Sequence, residues 1–357
     1  MITFAPMKHL VIRNLGPLKE ADIELKRINV IIGSQSSGKS CVLKTACYCT
    51  WVEKRIQLTQ TADFFAKDGN FLNELERFHK LKGYIKADTF ISYESDFMAF
   101  SYDNATKTFT FNWKDGRWDY RRSKVTYIPA ERNLVAAIPN WFQVKFADDN
   151  IRDFMADWET ARQATTEELS VLNLGVSYHF DANTKSDKVQ VAEGVTLDFT
   201  NTSSGLQSVI PLYVHLHYLF KKKVEKIESF ANIEENSKLL AKLNEEDKKD
   251  VYDNYVHTYH CDIFLEEPEA NLFPPTQSNL VEWLLTMTTG EHPSNLFIAT
   301  HSPYILNAFM EKKDIALTLL YTRMFEGQMT VKTATEQDIQ DLYDYGVDAF
   351  FNIESLG

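Results

Sequence analysis

Hydrophobic and polar positions near the start of the chain predict strands followed by a helix. Residues 8–12 form a short apolar run, and residues 21–25 alternate apolar with acidic side chains, as a half-buried strand does. Residues 28–32 are almost continuously apolar and β-branched, which is typical of a strand buried on both faces. After a Gly/Ser-rich loop, residues 41–57 contain neither Gly nor Pro and are predicted to be helical.

Three later apolar runs predict further strands. Residues 125–130 end on Pro-Ala, and residues 261–265 and 295–300 are separated by a helix predicted over about residues 276–288. Strand, helix and strand in this order, with a loop after the first buried strand, predict an α/β fold. Because parallel strands need such crossovers, we expect a mixed, mostly parallel sheet.

Aromatic side chains are concentrated in residues 60–125, where they stand in short alternating runs. The pattern predicts an inserted antiparallel β segment after an initial helical part, with Asp115-Gly116 as a hairpin turn. We expect these rings to pack in the core, and a platform that stacks nucleic-acid bases is the alternative. Residues 131–175 and 206–256 are predicted to be mostly helical, with strands over residues 176–200.

Composition and charge narrow the classes of function. The chain has 357 residues, of which 44% are hydrophobic and 25% charged, as in a globular protein large enough to bury a core. Its net charge of -12 argues against binding nucleic acid over the whole surface and leaves a local basic groove as an alternative. The mixed charges of residues 221–250 predict a solvated helical arm, in which Lys221, Lys222 and Lys223 are the best candidates for a phosphate contact.

Cysteine spacing and hydropathy indicate a cytoplasmic protein. Cys41, Cys47, Cys49 and Cys261 lack the spacing of a zinc site and are predicted to be free thiols in a reducing compartment. The first residues lack the apolar region of a signal peptide. The longest apolar stretch, residues 209–220, is too short and too polar to span a bilayer. We therefore expect no membrane partner.

The strongest motif is Gly33-Ser34-Gln35-Ser36-Ser37-Gly38-Lys39-Ser40, which fits the phosphate-loop pattern G-x-x-x-x-G-K-[ST]. Glycines let the backbone wrap closely round a phosphate, and backbone N–H groups at the start of the following helix attract the anion. In this pattern Lys39 binds the β- and γ-phosphates and Ser40 is a ligand of Mg²⁺. We expect every residue of the segment, and Cys41 after it, to contact the nucleotide.

Residues 263–269 read Ile-Phe-Leu-Glu-Glu-Pro-Glu, so that an acidic pair directly follows the apolar residues of a predicted strand. One carboxylate in this position can hold Mg²⁺, a cation that prefers oxygen ligands. The next carboxylate can polarise the attacking water as a general base. We assign Glu266 to the metal and Glu267 to the base, with a solvated acidic turn as the alternative.

Two further segments bring polar groups to the ends of predicted elements. The strand over residues 295–300 delivers His301 to the edge where open α/β sheets bind ligands, within reach of a γ-phosphate or the catalytic Glu. Residues 201–208, Asn-Thr-Ser-Ser-Gly-Leu-Gln-Ser, place hydroxyl groups and a Gly at the start of a helix. They form a second candidate anion site, for which an ordinary helix cap is the alternative.

The order of these four motifs resembles that of the ABC-type ATPase heads of the SMC, RecF and overcoming-lysogenization-defect families. Residues 12–25 look like the opening strands of such heads. Residues 266–274 are similar to the E-E-P-E-A-H-L-H-P element of the overcoming-lysogenization-defect type, with two departures. The resemblance covers residues 7–58 and about 195–310.

This resemblance implies a P-loop NTPase of the ABC/SMC-head type with a helical lobe, ATP as its ligand and Mg²⁺ as its metal. Ser204, Gly205 and Gln207 would occupy the signature position. They would meet the γ-phosphate held by residues 33–40 of a second copy, so that ATP is sandwiched in a head-to-head homodimer or a larger homo-oligomer. His301 would be the switch histidine.

Two departures from the family pattern affect the functional reading. The Gln that usually precedes the helical lobe is not evident, and Glu131 or Arg132 is the candidate replacement. Only 56 residues follow His301, too few for the C-terminal Toprim nuclease of many relatives. The resemblance thus implies an ATPase that senses or regulates a separate effector, a toxin or nuclease, as in bacterial anti-phage systems. The alternatives are a RecF-like DNA repair or recombination ATPase that clamps DNA, and a nucleotide-gated scaffold that does not hydrolyse ATP.

On this basis the chain divides into five segments. These are the N-terminal part of the ATPase core with the phosphate loop (residues 1–58), the aromatic-rich inserted α/β segment (59–125), the helical lobe and strands leading to the signature (126–205), the signature helix and charged arm (206–260), and the C-terminal part of the core with a tail (261–357). The expected partners are a second copy, an effector protein and, in the alternative, DNA.

Overall fold

The computed structural model describes residues 8–224, 248–288, 294–312 and 317–345. Most of the charged arm predicted within residues 206–260 lies outside the described residues, as does the end of the predicted tail.

The described residues form two β-sheets. Their strands are β1 (Lys8–Leu15), β2 (Leu18–Leu25), β3 (Ile28–Ile32), β4 (Ile85–Glu94), β5 (Met98–Asp103), β6 (Thr108–Trp113), β7 (Ser123–Ile128), β8 (Leu169–Ser170), β9 (Ser177–Asp181), β10 (Ser186–Ala192), β11 (Val195–Asp198), β12 (His260–Glu266), β13 (Asn295–Ala299), β14 (Leu317–Phe325) and β15 (Gln328–Thr333). The large sheet has the order β6-β5-β4-β1-β2-β15-β14-β3-β13-β12-β7, and the small one β11-β10-β9-β8.

Helices cover both faces of the large sheet, which confirms the predicted α/β class. They are α1 (Lys39–Thr59), α2 (Asp63–Ala66), α3 (Asn70–Phe78), α4 (Leu134–Ala137), α5 (Asn150–Ala164), α6 (Ser204–Val224), α7 (Lys248–Val256), α8 (Pro274–Met287), α9 (Pro303–Met310) and α10 (Glu336–Tyr345). The helix predicted over residues 131–175 is mostly confined to α5. Asp149 caps α5 by accepting hydrogen bonds from the Ile151 and Arg152 amides, which fixes where the helix begins.

A block of parallel strands forms the centre of the large sheet. Strands β7, β12, β13, β3 and β14 pair in parallel, one beside the next. Their side chains alternate between two cores, so Ile263 and Leu265 face one side of the sheet while Phe264 faces the other. Burial on both faces explains why these strands have few polar positions in the sequence.

The large sheet curls around α1. Strands β6 and β7 are the two edges of the sheet, yet only residues 114–122 connect them. Eleven flat strands spaced about 4.8 Å apart would hold the edges about 48 Å from each other, whereas this connection reaches at most about 35 Å. Helix α1 fills the curl and has residues in one core with strands from both halves of the sheet.

Buried polar contacts hold the two halves of the large sheet together. Lys8 at the start of β1 lies 3.4 Å from Asp262 of β12, which also accepts a hydrogen bond from Asn295. Burial alone would raise the pKa of Asp262. The charges of Lys8 and His260, with hydrogen bonds from neighbouring side chains, outweigh burial and hold this pKa well below its ordinary value.

The aromatic-rich insert extends the same sheet. Strands β4, β5 and β6 form an antiparallel meander next to β1 after the short helices α2 and α3, as predicted. Tyr93, Phe100 and Tyr102 are buried in the core around α1, which confirms the packing interpretation of these rings. The hairpin predicted at Asp115-Gly116 is wrong. These residues lie in a 3-10 turn, because the next strand, β7, pairs at the opposite edge of the sheet.

The other face of the parallel block carries the second core. Helices α5, α6, α8 and α9 pack there together with the small antiparallel sheet, which contains the strands predicted over residues 176–200. Trp158 links helix and small sheet through its contacts with Tyr178 and Phe199. Within the described residues, no helix is long and apolar enough to cross a membrane.

We predict that Asp262→Ala lowers the free energy of unfolding by about 3–5 kcal/mol, because it leaves the Lys8 ammonium buried without its carboxylate. Urea denaturation measures this loss. The loss should be present at pH 7 and should shrink as the pH falls below about 4, where Asp262 in the unfolded chain becomes protonated. The control is Asp22→Ala, which removes the exposed contact with His9 and should cost at most about 1 kcal/mol. Equal losses in the two variants would contradict the prediction.

Candidate functional site

The phosphate-loop segment joins the buried end of β3 to the start of α1. Two of its glycines have positive φ angles, +152° at Gly33 and +94° at Gly38. A Cβ atom at Gly33 would lie 1.8 Å from the hydroxyl of Thr322, and one at Gly38 would lie 2.6 Å from Leu18. Both positions therefore need glycine for backbone shape and for space. Ser36 also adopts a positive φ of +61°, and its side chain is exposed.

Lys39 folds back over the loop that precedes it. Its ammonium group donates hydrogen bonds to the Gly33 carbonyl at 2.9 Å and the Ser34 carbonyl at 2.7 Å. Burial lowers the pKa of Lys39 to about 8, against a smaller upward effect of the Glu267 and Glu269 carboxylates. The positive charge is thus held at the loop, where a phosphate would bind.

The other side chains of the loop divide into exposed and buried groups. Ser34, Gln35 and Ser40 are exposed, whereas Ser37 is buried and hydrogen-bonded to the Thr322 hydroxyl. Cys41 points into the core, and its thiol donates to the Leu15 carbonyl at 3.8 Å. Burial raises the pKa of the Cys41 thiol to about 12, so this side chain stays neutral. Cys41 can offer a nucleotide its backbone amide only.

The acidic pair lies two strands from the phosphate loop. Strand β13 separates β3 from β12, so the carboxyl ends of all three strands meet at one edge of the sheet. Glu266 is buried at the end of β12, beside Tyr127. Glu267 has a positive φ of +42°, and its side chain is 46% exposed at this edge. A non-glycine residue with such a φ is uncommon and is often found at functional sites.

His301 lies against the catalytic candidate. Its Nε2 atom is 3.8 Å from a carboxylate oxygen of Glu267. Burial and the charge of Lys39 lower the pKa of His301, while Glu267 and Glu269 act in the opposite direction. The phosphate loop, Glu267 and His301, three separate motifs in the sequence, therefore occupy one site.

Glu269 is a site residue to which the sequence analysis gave no role. Its two carboxylate oxygens accept hydrogen bonds from the Thr300 hydroxyl at 2.8 Å and from the His301 backbone amide at 2.7 Å. Glu269 thus fixes the turn that carries His301. Its place in the Glu-Glu-Pro-Glu run was the available signal, but the contact joins residues 32 positions apart in the chain.

Arg132 is the second residue with an unexpected place. It is fully buried, and its guanidinium donates five hydrogen bonds to backbone carbonyls, those of Pro129, Ser208, Glu266, Glu267 and Pro268. Burial lowers its pKa to about 10, so the charge persists at neutral pH. Two residues were candidates to replace the missing Gln. The Arg132 guanidinium is hydrogen-bonded to the backbone, whereas Glu131 is exposed.

The signature segment, residues 201–208, opens α6 as predicted. Ser204 is exposed, and a Cβ atom at Gly205 would lie 3.1 Å from the Asn271 carbonyl in the loop after the acidic pair. The Gln207 carboxamide donates to the Thr200 and Thr202 carbonyls at 2.9 and 3.0 Å. Gln207 therefore points back into its own turn in this structure, whereas Ser204 is exposed and Gly205 is partly exposed.

The donor set suits Mg²⁺ bound together with phosphates. Ser40 offers a hydroxyl and Glu266 a carboxylate, both hard oxygen ligands. Among the described residues, no group of three or more His, Cys, Asp or Glu side chains could hold a metal alone. Mg²⁺ commonly takes one or two protein ligands and completes its shell with phosphate and water, so the residues present fit this ion.

The chain is similar in overall layout to solved SMC head domains. No protein-family profile and no curated protein sequence matches it. The SMC head domain from Thermotoga maritima is 11% identical, with a TM-score of 0.46 over 92% of this chain and 99% of that one. An SMC head bound to the C-winged helix domain of ScpA is 11% identical, with a TM-score of 0.47 over 94% and 99%. An SMC head with an extended coiled coil, bound to the C-terminal domain of ScpA derived from Pyrococcus furiosus, is 9% identical, with a TM-score of 0.47 over 95% and 99%.

We predict that Gly38→Ala lowers the free energy of unfolding by about 2–4 kcal/mol, because it adds a clash with Leu18 to the strain of a positive φ. The matched control is Gly83→Ala, where φ is +81° and a Cβ atom would meet open space. That variant should lose only about 1–2 kcal/mol. Urea denaturation compares the two. Equal losses would show that Leu18 does not constrain the phosphate loop.

We predict that Arg132→Lys lowers the free energy of unfolding by about 2–4 kcal/mol, because an ammonium group cannot reach five carbonyls that a planar guanidinium joins. Arg152→Lys is the control, since the Arg152 side chain is about half exposed and contacts Asp148 at the surface. It should change stability by less than about 0.5 kcal/mol. Thermal denaturation measures both, and an Arg132→Lys protein as stable as wild type would contradict the prediction.

Proposed function

We propose that this protein is an ATPase that binds ATP with Mg²⁺ at the phosphate loop and hydrolyses it. The observation that carries the proposal is the convergence of the loop lysine, an exposed carboxylate and a histidine at the carboxyl edge of β3, β13 and β12. Such an edge is where open α/β sheets bind their ligands.

Each residue has a part in this reaction. The backbone N–H groups of residues 33–40 and the ammonium group of Lys39 bind the β- and γ-phosphates. Ser40 and Glu266 would hold Mg²⁺, which supplies positive charge to the phosphates when bound. Glu267 orients a water molecule and accepts its proton as general base. His301 donates a hydrogen bond to the γ-phosphate, and Glu269 positions the turn that carries it.

We propose further that ATP joins two copies of the chain head to head. The accessible Ser204 and Gly205 of one copy would meet the γ-phosphate held by the other, because a helix N-terminus attracts anions. Two exposed aromatic side chains support this face as an interface, Phe273 at 74% and Tyr304 at 44% exposure. Phe273 follows the loop packed on Gly205, and Tyr304 follows His301. Pairing would remove both from water.

The output of such a cycle is a conformational state, closed with ATP and open after hydrolysis. On the sequence resemblance, we propose that this state regulates a separate effector, a toxin or a nuclease, in bacterial anti-phage defence. The acidic net charge of -12 supports a protein partner over extended contact with DNA.

We predict that Glu267→Gln lowers ATP turnover at least about 100-fold, because the amide cannot accept a proton. ATP binding should persist, and the variant should accumulate as an ATP-dependent dimer in light-scattering measurements. The control is Glu282→Gln, on an exposed side chain of α8, which should turn over ATP as wild type does. Lys39→Ala should lose ATP binding.

Two results would contradict the proposal. Unchanged turnover in Glu267→Gln would remove the assigned base, and full ATP affinity in Lys39→Ala would remove the phosphate loop as the binding site. The turnover measurements include duplex DNA, because the RecF-like alternative predicts DNA-stimulated hydrolysis. Turnover indifferent to DNA supports the regulator of a protein effector.

A further inference from the structure

A second cavity lies at the far end of α1. Its volume is about 400 Å³, and its walls come from α1, α3, β7 and the start of α5. Residues Trp51 and Lys54 of α1 line it, 12 and 15 positions after Lys39. At about 1.5 Å per residue they lie about 18 and 22 Å along the helix from the phosphate-loop lysine. The cavity is therefore separate from the proposed ATP site.

One wall of the cavity is aromatic. The rings of Tyr48 and Trp51 are stacked with centroids 5.8 Å apart, and His79 lies edge-on to Tyr48 and to Tyr127. Burial lowers the pKa of His79 to about 3, so its ring is neutral and adds to the aromatic surface. Trp51 is 36% exposed, which leaves part of its indole open to a ligand. Planar rings stack favourably on such a surface.

The cavity is also lined by basic side chains, one of them on the same face of α1 as Trp51. Lys54 lies three residues after Trp51, so both side chains project on one side of α1. The Lys54 ammonium donates to the Ser123 carbonyl at 2.6 Å, and the cavity is also lined by Arg122 and Lys124. Burial, together with the charges of these two residues, lowers the pKa of Lys54 to about 7.

Most of the carboxylates in and near the cavity are paired with basic side chains. Arg77 pairs with Glu74 and Asp148 at 2.7 and 2.6 Å, and Lys124 pairs with Asp157 at 2.8 Å. Asp262 is held by Lys8 and Asn295. Asp153 is the remaining carboxylate of the cavity, and burial raises its pKa. Five basic and three acidic side chains line the cavity, in a protein of net charge -12.

We propose that this cavity binds a small anion that carries a planar ring, of the size and kind of a nucleoside monophosphate. The ring would stack on Trp51, and the anionic group would lie against Lys54. A volume of 400 Å³ falls at the lower end of the range of small-molecule sites, about 300–1,000 Å³.

The test uses the full chain with Lys39→Ala, so that nucleotide does not occupy the phosphate loop. Isothermal titration calorimetry with AMP, GMP, CMP and UMP should show saturable binding of at least one of them at one site. Adenosine and inorganic phosphate, which each supply half of the recognition, should bind at least tenfold more weakly than that nucleotide. No binding of any of the four below about 1 mM would overturn the proposal.

Two variants in that background locate the binding. Lys54→Met keeps the length of the side chain, removes its charge, and should lower the nucleotide affinity at least tenfold. Trp51→Leu changes a partly exposed position and should lower the affinity for the nucleotide but not for phosphate. The matched control, Lys67→Met on an exposed lysine, should bind as the parent does. Affinity unchanged in Lys54→Met and Trp51→Leu would place the binding elsewhere and overturn the proposal.

Discussion

Burial of α1 is the constraint on which the rest of the structure depends. Fifteen of its 21 residues are buried, because the sheet curls round it and packs against it from both halves. A helix enclosed in this way cannot be recognised from a single apolar stripe, and it carries small or apolar residues on most faces. Its enclosure fixes the position of its first residue, Lys39, and so of the phosphate loop. It also places the face of Trp51 and Lys54 at the opposite edge of the sheet, where the second cavity lies.

The buried guanidinium of Arg132 holds the backbone at the acidic pair. Glu267 has an unfavourable positive φ, which costs of the order of 1–2 kcal/mol for a residue with a Cβ atom. The neighbouring carbonyls of residues 266–268 accept three of the five hydrogen bonds from the Arg132 guanidinium. A fourth reaches the Ser208 carbonyl at the signature helix. A single buried cation therefore joins the turn that carries the candidate base to the segment that would face a second copy.

Sequence patterns predicted many of the elements, but not β14 and β15, and they did not predict the long-range contacts. The buried strands, α1, the signature helix and the antiparallel insert follow from local periodicity, and the phosphate loop follows from its glycines. The roles of Thr322 beneath Gly33, Glu269 at the turn of His301 and the inward carboxamide of Gln207 do not, because each depends on where the backbone of another segment comes to lie. The prediction of a hairpin at Asp115-Gly116 is wrong for the same reason, because the order of the strands in the sheet decides which strands are neighbours.

Helix α1 connects the two candidate sites through contacts with both halves of the sheet. In its C-terminal half, Glu53 accepts hydrogen bonds from Tyr93 and Ser95 of the β4–β5 region, while Lys54 donates to the Ser123 carbonyl on β7. A close-packed helix with polar anchors on opposite sides does not slide by small steps, because any shift breaks buried hydrogen bonds or opens voids. A displacement of α1 must therefore move Lys39 and Lys54 together. Ligands bound at both candidate sites would contact the same rigid element, α1.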